Sequence, residues 1–179
     1  LINYDGINDN VPLLKLLGQI FNKKENADKI IKEYEDGVSK AKKESSQFPP
    51  ARVAVLRATG KSVTAETPKA ICASMVEQLH MENVLLNHKD VTLDTKTVPY
   101  SLEQLSSDNP EIIFVVTMGK DKDISKKMDE QMRDNPAWSN LDAVKNGRVY
   151  FLPSDLFLLN PGIRTPEAMN KLLDLAYRQ

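Results

Sequence analysis

The stretch Glu111-Ile112-Ile113-Phe114-Val115-Val116 gives the strongest strand signal in the chain and decides its fold class. Asn109-Pro110, directly before it, ends any helix on its N-terminal side and favours an extended conformation. Because the run is apolar at nearly every position, we predict a strand that is covered on both faces, as in a parallel sheet. Two shorter apolar runs, residues 52–56 and residues 148–152, predict further strands of the same sheet.

Amphipathic helices are predicted between these strands. Apolar residues recur every three or four positions from Leu13 to Ala41, which indicates two helical segments with a break at Asn22-Lys23-Lys24. Ser101 and Gln104 have the spacing of a capping box, in which each side chain accepts a hydrogen bond from the backbone N–H of the other residue. Further helices are predicted from Thr67-Pro68 with Thr67 as the N-cap, over residues 121–133, over residues 141–145 with a stop at Asn146-Gly147, and from Thr165-Pro166, which is predicted to cap the final helix.

Strands that alternate with helices predict the architecture. We expect an α/β fold: a three-layer α/β/α, Rossmann-like lobe with a mostly parallel sheet and right-handed crossovers, preceded by a long connecting helix. In such sheets ligands bind at the carboxyl ends of the strands. The loops expected at that edge span residues 57–62, 117–121 and 153–164.

Composition and charge exclude several classes of protein. The chain has 179 residues, and its 24 Lys and Arg against 25 Asp and Glu leave no basic excess for binding nucleic acid. The single cysteine, Cys72, excludes an internal disulfide and is expected to be a buried thiol in an apolar helix. No run approaches the ~18 apolar residues of a membrane span. The start shows neither a signal peptide nor an initiator Met, which suggests a processed or truncated chain.

The sequence contains no convincing catalytic or metal-binding set. His80 and His88 are its only histidines, and neither has the spacing or the partners of a metal site. Thr59-Gly60-Lys61-Ser62 resembles only the end of a P-loop, because Val55 stands where the first glycine is required. We therefore predict no enzyme activity, no metal ligand and no resident cofactor.

Two segments carry a resemblance to a known family. Tyr100-Ser101-Leu102-Glu103-Gln104-Leu105 is followed by Asn109-Pro110-Glu111-Ile112-Ile113. Trp138 then precedes Leu141-Asp142-Ala143-Val144-Lys145-Asn146-Gly147-Arg148-Val149-Tyr150. In order and spacing these segments resemble the class III substrate-binding proteins of ABC importers, which bind iron–siderophores, haem or vitamin B12.

The resemblance implies a domain organisation. Proteins of this class have two α/β lobes joined by a long helix, and the ligand binds in the cleft between the lobes. By this correspondence, residues 1–10 are the end of a missing N-terminal lobe or its linker. Residues 11–48 are then the interlobe connecting helix segments, and residues 51–179 are the C-terminal α/β lobe.

The resemblance also implies site residues. Glu103 matches the glutamate that docks on arginines of the membrane permease, and a first-turn carboxylate is compatible with the helix dipole. Arg57 ends the first strand where the cleft is expected, so its planar fork can bind a ligand carboxylate, or it can form a surface salt bridge. Phe157 can present to the ligand or fill the core. The other candidate ligand-binding residues are Thr59, Ser62, Met118 and Arg164.

The function implied by the resemblance is binding without catalysis. The protein would capture a ferric siderophore or haem and deliver it to the permease of an ABC importer. The alternatives are a vitamin B12 binding protein, a small α/β enzyme, and a module that self-associates through apolar surface. We expect an extracytoplasmic location, periplasmic or lipid-anchored, with membrane contact only through the permease or a missing anchor.

Overall fold

The computed structural model describes residues 6–59, 62–89, 91–117 and 136–178. The strands are β1 Arg52–Ala58, β2 Val63–Glu66, β3 Glu82–Asn83, β4 Thr97–Pro99, β5 Ile112–Thr117 and β6 Val149–Leu152. The α-helices are α1 Asn10–Ile20, α2 Lys24–Ser45, α3 Ile71–Gln78, α4 Leu102–Asp108, α5 Pro136–Ser139, α6 Asp142–Lys145, α7 Ser154–Phe157 and α8 Thr165–Tyr177. Short 3-10 helices span Ile7–Asp9, Val84–Asn87 and Gly162–Arg164.

These strands form one sheet in the order β4-β2-β1-β5-β6, with β3 also paired to β1. β1 pairs in parallel with β5 and with β3, and β5 pairs in parallel with β6. Thr117 lies opposite Ala58, and Val116 lies opposite Leu152, so β1, β5 and β6 end at the same edge of the sheet. The predicted α/β class with a mostly parallel sheet is confirmed.

One side of the sheet is antiparallel, which the sequence pattern does not predict. β2 pairs antiparallel with β1, with the Thr59 amide bonded to the carbonyl oxygen of Ser62 between them, and β4 pairs antiparallel with β2. β2 contains only Val63-Thr64-Ala65-Glu66, and alanine and glutamate are both depleted in strands. So short a segment of this composition carries little periodic signal.

Helices cover both faces of the sheet and complete three layers. One core joins α2, α3, α7 and α8 to one face of the strands, which includes Val53 and Phe114. The second core joins Leu105 of α4 and Ala143 of α6 to the opposite face, which includes Leu56. All six residues of β5 are buried, as expected for a strand with helices on both sides.

The first two helices break where the sequence predicts. α1 ends at Ile20 and α2 begins at Lys24. Asn22 between them has a left-handed backbone with a φ of 50°, which asparagine adopts more readily than most residues. The break is therefore confirmed, while the assignment of these helices to an interlobe connection stays a prediction.

A buried asparagine fastens these helices to the rest of the fold. The Nδ2 of Asn10 lies 3.1 Å from the hydroxyl of Tyr34 on α2, 3.1 Å from the carbonyl oxygen of Gly162, and 3.2 Å from the hydroxyl of Thr165. Tyr34 in turn donates to the carbonyl oxygen of Ile7 at 3.3 Å. The start of α1, the middle of α2 and the start of α8 thus share one polar contact.

Two predicted helix caps are wrong. α3 begins at Ile71, after Ala70, because β2 extends to Glu66 and the buried Thr67 donates its hydroxyl hydrogen to the carbonyl oxygen of Thr95. In α8, Thr165 is the first helical residue and not the cap. Its hydroxyl donates to the carbonyl oxygen of Gly162 at 2.8 Å.

Other local predictions are confirmed. Ser101 and Gln104 form the capping box of α4, and Gly147 ends α6 with a φ of 65°. Cys72 is buried. The predicted helix over residues 121–133 lies outside the described residues. In the described ranges, every helix is too short or too polar to cross a bilayer.

Candidate functional site

Arg57 lies near the carboxyl end of β1, between Thr64 of β2 and Val116 of β5. Its Nε and Nη2 donate to the same oxygen of Glu66, Oε1, at 2.9 and 2.7 Å. About one sixth of the Arg57 side chain is exposed, at 16%. The guanidinium is therefore held in place by a buried acid, while a small part of the Arg57 side chain is exposed to solvent.

Glu66 is the partner that sequence reasoning missed. Because β2 runs antiparallel to β1, Glu66 lies two residues from Thr64 and on the same face of the sheet as Arg57. Its side chain is 0% exposed, and its second oxygen, Oε2, has no hydrogen-bond partner among the described residues. Burial raises the pKa of this carboxyl to about 7, and Arg57 opposes that shift. The signal that the sequence offers is a glutamate nine residues after Arg57, close enough in the chain for a short hairpin to pair the two.

The thiol of Cys72 belongs to the same buried region. It lies in the first turn of α3 and is fully buried. Burial raises the pKa of the thiol well above its ordinary value, and the charge of Glu66 adds to the increase. Cys72 is therefore a neutral thiol at physiological pH and not an activated nucleophile.

Thr59 and Ser62 close the turn between β1 and β2. The hydroxyl oxygen of Thr59 accepts from the Ser62 amide at 3.0 Å, and the two hydroxyl oxygens lie 3.1 Å apart. The amide of Thr59 donates to the carbonyl oxygen of Ser62 at 2.9 Å. Both side chains thus shape the turn at the carboxyl edge of the sheet, two and five residues after Arg57 in the chain.

The remaining candidates do not join this group. Phe157 is completely buried in the core beneath α8, so its ring offers no surface to a ligand, and the core-filling alternative describes its position. Arg164 is on the surface, where it donates to Asp155 at 2.9 Å and to both oxygens of Glu167 at 2.8 and 2.9 Å. Met118 lies outside the described residues.

Glu103 is exposed in the first turn of α4. This helix is fixed at its start by the capping box and at its end by Asp108. The carboxylate of Asp108 lies 2.7 Å from Nε2 of His88 and also accepts from the hydroxyl of Tyr100. Arg52 donates to the Asp108 carbonyl oxygen at 2.6 Å. Glu103 is therefore presented to solvent by a helix that is held at both ends.

No cluster of histidine, cysteine and acidic side chains that could hold a metal ion occurs within the ranges that the structure describes. His88 is bound to Asp108, and Cys72 is buried in the first turn of α3. Among the described residues at the carboxyl edge of the sheet, Arg57 supplies a guanidinium, and Thr59 and Ser62 supply hydroxyl groups. A guanidinium and hydroxyl groups are suited to donate hydrogen bonds to an anion.

Residues 9–156 match the sequence pattern of the periplasmic binding protein family, and the chain belongs to this family. The resemblance found in the sequence is confirmed.

Individual proteins of known sequence or structure are similar to this chain. The chain is 26% identical over 181 residues to the high-affinity heme uptake system protein IsdE of Staphylococcus aureus, which covers 98% of this chain and 59% of that protein. An ABC transporter substrate-binding protein from Listeria monocytogenes EGD-e superimposes over 98% of this chain and 66% of its own, with a TM-score of 0.84 and 28% identity. IsdE of S. aureus complexed with heme shares the fold, with a TM-score of 0.81 and 24% identity over 97% of this chain and 66% of its own. The chain thus spans 59% of the length of the curated relative.

Proposed function

We propose that this chain is the C-terminal lobe of an extracytoplasmic substrate-binding protein that captures an iron complex and delivers it to the permease of an ABC importer. Membership of the periplasmic binding protein family supports the binding role. The 26% identity to a protein named for heme uptake supports haem or a ferric siderophore as the ligand class.

Arg57 carries the proposal. It lies at the carboxyl edge of the sheet, where ligands of α/β folds bind. Nε and Nη2 are held by Glu66, and Nη1 has no partner among the described residues. A guanidinium fixed in this way can donate to a ligand carboxylate with little further loss of side-chain entropy. Haem propionates and the carboxylates of siderophores carry the required charge.

Neighbouring groups would complete this half of the site. The hydroxyls of Thr59 and Ser62 lie on the turn that follows β1 and supply further hydrogen bonds. Met118 follows Thr117 of β5 in the sequence, and we retain it as a proposed apolar contact. Arg164 would have to exchange Asp155 and Glu167 for a ligand, and the proposal does not depend on it.

The contact with the permease is proposed at Glu103. The side chain is exposed and forms no ion pair within the described part of the chain. A carboxylate on a fixed helix can pair with an arginine across an interface and set the orientation of docking. The capping box and the contacts of Asp108 restrict movement of the helix that carries Glu103.

Vitamin B12 is the alternative ligand within the same class. The corrin ring carries amide side chains, which gain less from a guanidinium than a carboxylate does. The positive charge of Arg57 therefore favours an anionic iron complex.

A titration of the full-length protein tests the proposal. Haemin, ferric citrate and cyanocobalamin are added in turn, with binding followed by Soret absorbance for haemin and by calorimetry for the others. We expect haemin or ferric citrate to bind. Arg57→Gln should weaken that binding by at least about tenfold, because a charge-assisted hydrogen bond contributes roughly 1.5–3 kcal/mol.

Arg52→Gln is the matched control, since Arg52 lies at the opposite end of the same strand. It should leave the affinity for the anionic complex unchanged. Binding of cyanocobalamin alone would replace the iron-complex proposal with the B12 alternative. Equal affinity of the Arg57→Gln variant and the parent protein would remove Arg57 from the site.

A further inference from the structure

Glu66 is a buried acid beside Arg57. Arg57 does not need this acid in order to bind a ligand. A surface arginine can bind a carboxylate without a second acid behind it. Here the acid is 0% exposed and accepts both Arg57 hydrogen bonds on Oε1. The backbone N–H of Ala73 also stabilises its charged form, but Oε2 has no hydrogen bond of ordinary geometry among the described residues. A buried charged oxygen without a hydrogen bond is costly, so the site keeps this acid at the expense of stability.

The charged form of Glu66 is stabilised by the guanidinium of Arg57 and, less strongly, by the backbone N–H of Ala73. Arg57 of β1 is the charged side chain that acts on it among the described residues. The thiol of Cys72 on α3 faces the same region but is neutral. Asn83 of β3 donates to the Glu66 backbone carbonyl at 3.3 Å, and Thr97 of β4 lies opposite in the ladder, so both neighbours are uncharged.

A ligand carboxylate on Arg57 would compete for that cation. Two carboxylates would then share one guanidinium, and one of them is excluded from water. Like charges at close range favour the protonated form of the more buried acid. Burial already holds the pKa of Glu66 at about 7, so a modest further increase keeps it protonated throughout the physiological range.

We infer that Glu66 takes up a proton from solvent when Arg57 binds a ligand carboxylate, so that capture of an anionic iron complex is coupled to protonation of this one buried acid. The inference rests on the proposed function, because it needs an anionic ligand at Arg57. The carboxylate of Glu66 becomes a neutral carboxylic acid, and the positive charge of Arg57 is left to the ligand. By reciprocity, a lower pH favours ligand binding.

The test measures affinity for haemin, or for ferric citrate if haemin does not bind, from about pH 6 to about pH 9. In the parent protein the Kd should rise with pH above about 7, by up to about tenfold per pH unit for one linked proton. Calorimetry in two buffers of different ionisation enthalpy should show net proton uptake. Glu66→Gln, which keeps the size and removes the titration, should bind with a flatter profile and without this uptake.

Two controls keep the inference separate from the proposed function. Glu111→Gln, an exposed acid at the other end of the sheet, should retain the parent profile. Haemin dimethyl ester, which lacks free carboxylates, should bind the parent protein without proton uptake. This second control does not depend on whether the Glu66→Gln variant folds.

The possible outcomes are distinguishable. Tight binding of the anionic complex with no proton uptake overturns the coupling and leaves the proposed function intact. Equal proton uptake with haemin and with its dimethyl ester also overturns it, because the proton would then go elsewhere. Failure of every anionic complex to bind overturns both.

Discussion

Gly37 of α2 packs directly against Pro166 of α8, so closely that a Cβ at Gly37 would lie 2.8 Å from the Cβ of Pro166. Cβ atoms do not approach other carbons at that distance, and a proline ring cannot rotate away. The contact fixes the distance between the long second helix and the last helix. A single methyl group added at Gly37 should therefore disrupt the packing between α2 and α8.

Gly37→Ala should destabilise the protein. Forcing a methyl into a close-packed helix contact costs roughly 1–3 kcal/mol, and the better helix propensity of alanine returns at most about 1 kcal/mol. We expect a net loss measurable as a lower urea midpoint. Ser39→Ala, at an exposed position two residues away, should be neutral or slightly stabilising. A gain of stability in Gly37→Ala would mean that propensity outweighs packing and would contradict the close approach.

Ser101→Ala should weaken α4. The Ser101 hydroxyl accepts from the Gln104 amide at 3.1 Å, and the Gln104 side chain accepts from the Ser101 amide at 3.0 Å. Loss of an N-cap costs about 1 kcal/mol, within a range of roughly 0.5–2 kcal/mol. Ser106→Ala, an exposed serine of the same helix, is the control and should be neutral or stabilising. Faster hydrogen exchange of the Gln104 amide should accompany the loss, and equal effects of the two substitutions would contradict the capping role.

The stability of the protein should depend on the ionisation of Glu66. Its pKa is about 7 in the folded state and 4.5 for the ordinary group, so the folded state binds the proton more tightly. The free energy of unfolding should therefore fall as the pH rises from about 4.5 to about 7, by roughly 3 kcal/mol in total, and level off above that.

Glu66→Gln isolates this contribution. The difference in unfolding free energy between the variant and the parent should grow in favour of the variant over the same pH window. Glu111→Gln should show no such trend, because that acid is exposed. Parallel pH profiles of the parent and Glu66→Gln would show that the buried acid is already neutralised by Arg57 alone.

Glu103→Ala should reduce import and leave ligand binding unchanged. Removing one partner of an ion pair across an interface costs roughly 2–5 kcal/mol, so docking should weaken by more than about tenfold. Uptake of radio-iron-labelled haemin or ferric citrate by cells that express the whole importer measures the first effect, and titration of the purified variant measures the second. Glu111→Ala is the control for removal of an exposed glutamate. If Glu103→Ala instead lost ligand affinity, Glu103 would belong to the cleft.

Local structure that depends on residues close together in the sequence could be predicted. Contacts between residues on different strands or helices could not. The capping box at Ser101 and the buried run of β5 depend on residues within a few positions, so the sequence displays them. Glu66 meets Arg57 only because β2 folds back on β1, and that hairpin is too short to have a periodic pattern. The predicted role of Thr67 as an N-cap is wrong for the same reason, since Thr67 directly follows β2 and lies outside α3.

The candidate site divides in the same way. Arg57 could be selected because it ends a recognisable strand, and Glu103 because it lies in a recognisable cap. Phe157 follows a strand just as plausibly, yet it turns inward, because α7 and α8 leave a space in the core that a large ring fills. Whether an apolar residue such as Phe157 faces the core or the ligand depends on how the last helix packs. A single position in the sequence does not encode that packing.

The buried contact of Asn10 has a mechanical consequence. Its amide reaches α2 through Tyr34 and the start of α8 through Thr165, and directly beside it Gly37 and Pro166 pack the same two helices together. A displacement of α2 relative to α8 would have to break both contacts at once. The first two helices and the last helix should therefore move together as one rigid unit.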